Sequence, residues 1–340
     1  MSSSKTIGDI HRWRRVLSGY RTPSALRGVW ELAITAIPFG LAWFGMYLAL
    51  SRGHFWLYAL LLLPAAGFLI RLFLIQHDCG HRAFFANRQL NDWLGRVLSV
   101  MTLTPYDHWR RQHAVHHATS GNLDRRGIGD MDTLTVAEYM ARSRWTRLRY
   151  RAYRNPAVMF IIGPIFVFVF QNRLPAGFMR EWKSWVGVML TNAAVAVAGS
   201  ALIWAVGIKM FLLVHGPIVL LGGAVGVWMF YVQHQFDQTY WAKGEAWDVH
   251  EAALHGSSHY DLPPVLRWFT ANIGVHHVHH LSSQIPYYRL PKVLRDHPEL
   301  RETSRVTLLQ SFACVRLALW DEDNRRLISF RELRQRAAMT

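Results

Sequence analysis

Cysteine and acidic side chains are scarce in this sequence, which has 2 Cys, and 22 Asp and Glu against 38 Lys and Arg. The lone cysteines, Cys79 and Cys314, cannot form a disulfide framework or a Cys-x-x-Cys metal site, and this pattern is typical of a reducing compartment. The sequence also contains no Glu-x-x-His, the motif with which soluble four-helix bundles hold two metal ions. A metal site in this chain must therefore draw mainly on nitrogen ligands.

Positive charge and apolar side chains are abundant instead, with a net charge of +16 and 51% hydrophobic residues. A charge of this size is compatible with nucleic acid binding, but the basic residues flank apolar runs and do not form one basic and aromatic domain. We therefore interpret them as the basic aqueous faces of a membrane protein and expect no nucleic acid partner. Such a face favours anionic lipid head groups and an acidic electron-carrier protein.

Four apolar runs are each long enough to cross a hydrocarbon core of about 30 Å in helical form. They cover residues 29–50, 55–75, 185–206 and 210–232. Because the first two and the last two runs are joined by only a few residues, they predict two helical hairpins. The predicted fold is an all-α integral membrane protein with four transmembrane helices, additional interfacial helices and a cytosolic helical cap.

The other segments are assigned from the same pattern. Residues 1–28 are polar and basic, lack a signal-peptide core and are expected in the cytosol. Residues 29–291 are predicted as the membrane domain and residues 292–340 as a cytosolic C-terminal segment. Within them, residues 90–104 predict an interfacial helix. The apolar run 157–170 is short for a span and predicts a re-entrant or interfacial segment. Residues 306–319 carry a helical stripe that predicts a surface or membrane-lying helix.

Three histidine clusters carry the functional signal: HDCGH from His77, HAVHH from His113 and HHVHH from His276. Residues at i, i+3 and i+4 share one face of a helix, so each cluster is expected to aim two or three imidazoles at one point. Neutral imidazole is the commonest side-chain ligand of transition metals, and eight such ligands exceed what one ion uses. Two spans separate the second and third clusters, which keeps all three on one membrane face. The sequence therefore predicts a two-metal site.

A ninth ligand is predicted at His234, because it ends the fourth run and can reach the same pocket. The predicted metal ligands are His77, His81, His113, His116, His117, His234, His276, His279 and His280. His277 lies off the helical pattern and is expected to support the ligands, whereas His215 lies about 28 Å along the helix from His234. Carboxylates are expected to accept the second N–H of ligating imidazoles. The candidates for this role are Asp78, Asp107, Asp130, Asp132 and Asp237.

The order and placement of these clusters resemble the histidine boxes of the integral-membrane fatty acid desaturases, over about residues 30–291. HDCGH, TPYDHWRRQHAVHHATSGNLD, GDMDTLTVAEY and NIGVHHVHHLSSQIPYYRLP are similar to the acyl-lipid omega-6 (delta-12) branch. The sequence departs from the plant members of that branch at Asp78, where they usually carry Glu.

This resemblance implies an enzyme with two iron ions that uses O2 to convert two neighbouring methylenes of a membrane-lipid acyl chain into a cis double bond. It implies no catalytic residue beyond the metal ligands. The chain carries no His-Pro-Gly-Gly haem motif, so electrons are expected from a separate ferredoxin or cytochrome b5. The expected location is the bacterial inner membrane, with the metal site and both termini in the cytosol.

Two other functions stay open on the sequence alone. Hydroxylation of an alkane, sterol or carotenoid uses the same type of histidine boxes, although the HxCGH box and the IPYYRLP segment favour desaturation. A non-catalytic metal transporter would place its ligands near the bilayer midplane along a permeation path, whereas these clusters lie outside the predicted spans.

Overall fold

The computed structural model describes residues 12–338, so Lys5 of the basic N-terminal segment and the last two residues lie outside the described part. Four long helices alternate with many short ones. The short α-helices are Arg88–Met101, Tyr106–Thr119, Val136–Ala141, Arg144–Tyr153, Gly163–Ile165, Val249–His255, Pro264–Phe269, His276–Leu281, Leu290–Asp296, Glu299–Glu302, Leu308–Cys314 and Phe330–Ala337. Single turns of 3-10 helix lie at Gln171–Arg173, Gly244–Ala246 and Tyr287–Arg289.

The four long helices are the membrane helices, numbered 1 to 4 here. They are Ala25–Ser51, Phe55–Gly80, Trp182–Val206 and Ile208–His234, with mean hydropathies of 1.7 to 2.2. Helices 1 and 2 are separated by three residues, and helices 3 and 4 by Gly207, whose φ of +80° suits glycine. The predicted helical membrane fold with two hairpins is confirmed. Membrane helix 2 extends five residues beyond its predicted run, and this extension carries His77.

The apolar segment after residue 156 forms a bent pair with the helix before it. Arg144–Tyr153 and Val158–Arg173 meet at 59°, and together they are apolar and long enough for a broken span or a re-entrant loop. Their second half contains two π-helical turns, Val158–Ile162 and Phe166–Phe170, around Pro164. This geometry is compatible with the predicted re-entrant segment.

Membrane helix 2 is the central helix and packs against membrane helices 1 and 4. A buried ion pair fixes its position, because the Arg71 guanidinium contacts the Glu31 carboxylate of membrane helix 1. Arg71 also donates from Nε to Thr35 Oγ1 at 3.0 Å, and the Tyr287 hydroxyl donates to Glu31 at 3.0 Å. Removing one partner of such a pair costs about 3–5 kcal/mol, since it leaves a buried charge unpaired. This network therefore joins membrane helices 1 and 2 to the segment after membrane helix 4, which carries Tyr287.

The chain outside the four membrane helices also forms two small sheets. Strands β1 (Leu134–Thr135), β4 (Leu317–Asp321) and β5 (Arg326–Ser329) form one sheet in the order β1-β4-β5, parallel and then antiparallel. Strands β2 (His259–Asp261) and β3 (Arg305–Thr307) form a parallel pair.

The single helix predicted over residues 306–319 is wrong. Helix Leu308–Cys314 stops where β4 leaves to pair with β1 and β5, and its residues Leu309 and Phe312 are 82% and 59% exposed. The stripe therefore lies on a helix of only seven residues, and the chain beyond it is drawn into a sheet.

Candidate metal centre

The nine predicted histidines lie together in two groups that are placed to hold metal ions, and both groups consist of histidines alone. Within each group the ligand atoms all lie within 4.8 Å of one another. The five-histidine group contains His77, His81, His113, His117 and His279. The four-histidine group contains His116, His234, His276 and His280.

The second and third clusters each serve both groups, which corrects the expectation that a cluster aims at one point. On an α-helix, residue i+4 lies about 40° from residue i around the axis, whereas residue i+3 lies about 60° away on the other side. His113 and His117 accordingly enter the five-histidine group, while His116 enters the other. The third cluster mirrors this, because His276 and His280 enter the four-histidine group and His279 crosses to the five-histidine group.

Within each group, neighbouring Nε2 atoms are close enough to bind the same metal ion. In the five-histidine group, His113 Nε2 lies 3.0 Å from His77 Nε2 and 3.1 Å from His117 Nε2. In the four-histidine group, His234 Nε2 lies 3.1 Å from His116 Nε2 and 3.0 Å from His276 Nε2. Metal–nitrogen bonds of about 2.1 Å place two ligand nitrogens about 3.0 Å apart at a right angle and about 3.4 Å apart at a tetrahedral angle. The residues therefore fit metals with near-right-angle ligand geometry.

Burial keeps these imidazoles neutral, which is the form that binds a metal. Desolvation lowers the pKa well below the usual 6.5 for the six ligand candidates outside the membrane helices, and neighbouring imidazoles lower each pKa further. These six are His81, His113, His117, His276, His279 and His280. In addition, His81 Nε2 is buried without a hydrogen-bond partner, as expected for an atom reserved for a metal.

Two of the five predicted carboxylates contact a ligand candidate. Asp130 contacts Nδ1 of His116, and Asp78 lies 3.4 Å from Nδ1 of His77 while accepting the Tyr287 backbone N–H at 2.7 Å. Such contacts fix the ring orientation and leave Nε2 for the metal.

The other three predicted residues do not contact a ligand candidate. The Asp107 carboxylate pairs with Arg96 and that of Asp237 faces Arg326, while the Asp132 backbone N–H donates to the Tyr153 hydroxyl at 3.2 Å. A backbone carbonyl that sequence reasoning missed, that of Gly256, lies 3.2 Å from His234 Nδ1.

An aromatic side chain covers each group. Trp109 stacks on His113 with ring centroids 4.6 Å apart and lies 5.6 Å from His77. Phe230 lies 5.2 Å from both His116 and His234. Both aromatic residues stand four positions before a ligand candidate on the same helix, so they share its face. These rings limit the access of water to the site.

Two further histidines and an arginine that sequence reasoning missed form contacts outside the two groups. His277 is fully buried and its Nε2 lies 2.8 Å from the Leu300 carbonyl, so it supports the third cluster from behind. His215 stacks on Phe211 in the far part of membrane helix 4. Buried Arg154 donates to Gln235 Oε1 and to the Leu317 carbonyl, each at 2.8 Å, which ties the residue after His234 to β4. In the sequence, only the apolar residues of the neighbouring segment YRNPAVMF indicate that Arg154 is buried.

Comparison with known proteins links this geometry to a family. Residues 54–312 match the family model described as "Fatty acid desaturase". A "Fatty acid desaturase" of Bacillus subtilis is 45% identical over 318 residues, which span 94% of this chain and 90% of the relative. An "sn-1 oleoyl-lipid 12-desaturase" of Synechocystis is 29% identical over 224 residues, spanning 64% of this chain and 62% of the relative. An "sn-1 acyl-lipid omega-3 desaturase (ferredoxin)" of Synechocystis is also 29% identical, over 64% of this chain and 61% of the relative.

Proposed function

The chain belongs to the fatty acid desaturase family, whose members are oxidoreductases acting on acyl chains, and from this premise we propose that it is an O2-dependent acyl-lipid desaturase. It introduces a cis double bond into the acyl chain of a membrane lipid, at the delta-12 (omega-6) type of position. The similarity to an oleoyl-lipid 12-desaturase supports this position.

We further propose that the nine histidines hold two iron ions. The observation that carries this proposal is the division of their ligand nitrogens into one group of five and one group of four. Iron suits imidazole ligands, and the near-right-angle separations of the nitrogens suit an ion with more than four ligands. His117 of one group stacks on His280 of the other with ring centroids 4.1 Å apart, so the two ions would be neighbours.

The reaction consumes an acyl –CH2–CH2– unit, O2, two electrons and two protons, and it yields –CH=CH– and two waters. Bound iron supplies the O2-dependent oxidising power for removing the two hydrogens. The protein orients His116 through Asp130 and His234 through the Gly256 carbonyl, and it shields both groups with Trp109 and Phe230. Exclusion of water protects a reactive site from side reactions. The chain's own role is therefore to hold ligands rigidly in a dry environment.

The two electrons come from a separate protein, which we propose to be a ferredoxin or a cytochrome b5. A ferredoxin is named for one similar desaturase. The chain lies in the bacterial inner membrane, with the metal centre and both termini facing the cytosol. Membrane helix 1 is preceded by Arg12, Arg14, Arg15 and Arg21, whereas the connection between membrane helices 1 and 2 carries only Arg52. This distribution supports the orientation, because basic residues near the ends of spans accumulate on the cytosolic side.

The fatty-acid profile of cells tests this function. Cells that express the chain with an active donor system are compared with cells that express His116→Ala, and double bonds are located by gas chromatography and mass spectrometry. We expect a new diunsaturated acid only with the unaltered chain, because His116 belongs to the four-histidine group. A hydroxylated lipid without a new double bond would instead identify a hydroxylase on the same scaffold, and the membrane level of both proteins is measured as the control.

A further inference from the structure

A polar groove of about 420 Å³ opens beside the third histidine cluster. It lies between β2, the turn after helix Pro264–Phe269, helix Leu290–Asp296 and the start of β3. Four arginines line it against two carboxylates. The arginines are Arg267, Arg295, Arg301 and Arg305, and the carboxylates are Asp261 and Glu302.

The carboxylates neutralise only one of these arginines. Arg305 donates to Asp261 at 2.7 Å and lies 3.3 Å from Glu302, so its charge is matched. Arg301 donates from Nε to the Leu294 carbonyl at 2.9 Å, which holds the side chain without neutralising it. Within residues 12–338, Arg267 and Arg295 have no carboxylate partner in an ion pair. The groove thus offers unmatched guanidinium groups, whose planar forks bind phosphate oxygens in pairs.

One wall of the groove stands against the membrane helices. Helix Pro264–Phe269 packs on membrane helix 2 through Phe269, whose ring lies 5.2 Å from that of Phe68. The same helix leaves Val265 67% and Leu266 43% exposed, as expected for a helix beside lipid. Arg267, the residue after Leu266, lines the groove. A lipid head group in the groove would therefore keep its acyl chains beside the membrane helices.

Another part of the groove lining belongs to the segment that enters the metal centre. Val275 lines the groove and directly precedes His276 of the four-histidine group. The His276 backbone N–H donates to the Ser258 carbonyl at 3.2 Å, and the Tyr260 N–H donates to the Gly274 carbonyl at 2.7 Å. A ligand in the groove thus sits against the segment that positions a metal ligand.

The turn that follows helix Pro264–Phe269 adopts an unusual backbone conformation. Ala271 and Asn272 have φ values of 48° and 56°, in the left-handed region that non-glycine residues rarely populate. Such strain is concentrated at ligand sites and switch regions. Asn272 itself lines the groove. The strained turn indicates that the shape of the groove is imposed by the surrounding fold.

We propose that this groove binds the phosphate of the group that carries the acyl chain, and so anchors the substrate at its carboxyl end. The proposal rests on the proposed function and names the substrate class as an acyl chain carried on a phosphate-bearing group. A phospholipid head group and coenzyme A share this chemistry. An acidic electron carrier would need a wide flat surface, whereas the unmatched arginines, although exposed, line a concave groove next to the exposed Val265 and Leu266. The geometry therefore favours a small anionic group.

The test uses the full chain in lipid nanodiscs, as wild type and as the double variant Arg267→Gln/Arg295→Gln. The matched control is Arg144→Gln/Arg149→Gln, which removes the same charge from exposed arginines outside the groove. The apparent KM is measured for an oleoyl phosphatidylglycerol, for oleoyl-coenzyme A and for unesterified oleate. Retention of the phosphatidylglycerol by the purified chain is measured separately by native mass spectrometry.

We expect the groove variant to raise the KM for one phosphate-bearing carrier about tenfold with little change in kcat, as loss of charge-assisted contacts outside the reacting atoms predicts. The KM for oleate, which lacks phosphate, should stay unchanged, and the control should behave as wild type. The carrier whose KM rises identifies the source of the phosphate. Anchoring at the carboxyl end also predicts double bonds at scattered positions in the groove variant.

Three results would overturn the proposal. These are unchanged KM values for both carriers, an equal rise for oleate, or a rise only in the KM for the reduced ferredoxin, which would assign the groove to the electron donor. If the glutamine variant fails to fold, Arg267→Lys/Arg295→Lys replaces it, with a smaller rise expected because Lys cannot bind in a bidentate manner. If wild type forms no double bond yet retains the lipid through these arginines, the desaturase function fails while the groove assignment stands.

Discussion

The five-histidine and four-histidine groups share two helices, Tyr106–Thr119 and His276–Leu281, but their imidazoles are held in place by different contacts. The five-histidine group contains two i,i+4 pairs, His77 with His81 and His113 with His117. The four-histidine group has one such pair, and its other two rings are oriented by Asp130 and by the Gly256 carbonyl. One group therefore relies on the number of its ligands and the other on their orientation. Loss of a ligand should be tolerated better where there are more.

The largest expected effect is on metal content. His234→Ala leaves three imidazoles in the four-histidine group, and we expect the iron content to fall from about two to about one per chain and double-bond formation to fall by at least about 100-fold. His81→Ala leaves four imidazoles in the other group, so most of its metal should remain. Metal analysis of both purified variants checks this difference. Equal metal loss in the two variants would remove the distinction between the groups.

An intermediate effect is expected at the orienting carboxylates. Asp130→Asn should weaken metal binding in the four-histidine group about 10–100-fold, because the contact that fixes the His116 ring is lost. Asp78→Asn should weaken the other group less, since Asp78 is 3.4 Å from His77 and its group has more ligands. Competition with a chelator of known affinity measures both. A stronger effect at Asp78 would show that its bond to the Tyr287 N–H matters more than the ligand count.

The smallest expected effect concerns the aromatic covers. Phe230 borders a small cavity of about 10 Å³, enough for one water, that also touches Asp130 and His234. Phe230→Ala should connect this cavity to the four-histidine group and admit water to the metal centre. We therefore expect about twofold more reduced ferredoxin to be consumed per double bond. Trp109→Ala should raise this ratio less, because Trp109 does not border that cavity. Phe230→Leu, which keeps the volume apolar, serves as the control.

The sequence predicted the helical membrane fold well because long apolar runs and short connections leave few alternatives. It also singled out nine histidines that the structure brings together. It could not assign them to two groups. His116 and His279 each precede a histidine of the other group by one position, and this difference matters only when two metal positions flank the same helix. The structure is needed to show that i+4 pairs stay together and the i+3 residue crosses.

Other features depended on contacts between distant segments. Glu31 lies in an apolar run, and a charged residue there signals a partner, but the pairing with Arg71 and Tyr287 requires the cap to be in place. The strand after Cys314 was mistaken for helix because the stripe at Leu309 and Phe312 continues in sequence to Leu319. Arg154 joins β4 to Gln235 from a segment that carries no recognisable motif.

The most direct test of the account is the position of the metals, independent of their identity. Crystals of the chain loaded with iron would be measured at the iron absorption edge, because zinc acquired during expression would otherwise confuse the assignment. We predict two anomalous peaks, one surrounded by His77, His81, His113, His117 and His279, and the other by His116, His234, His276 and His280. A single peak shared by both groups, or peaks away from these histidines, would contradict the two-metal centre.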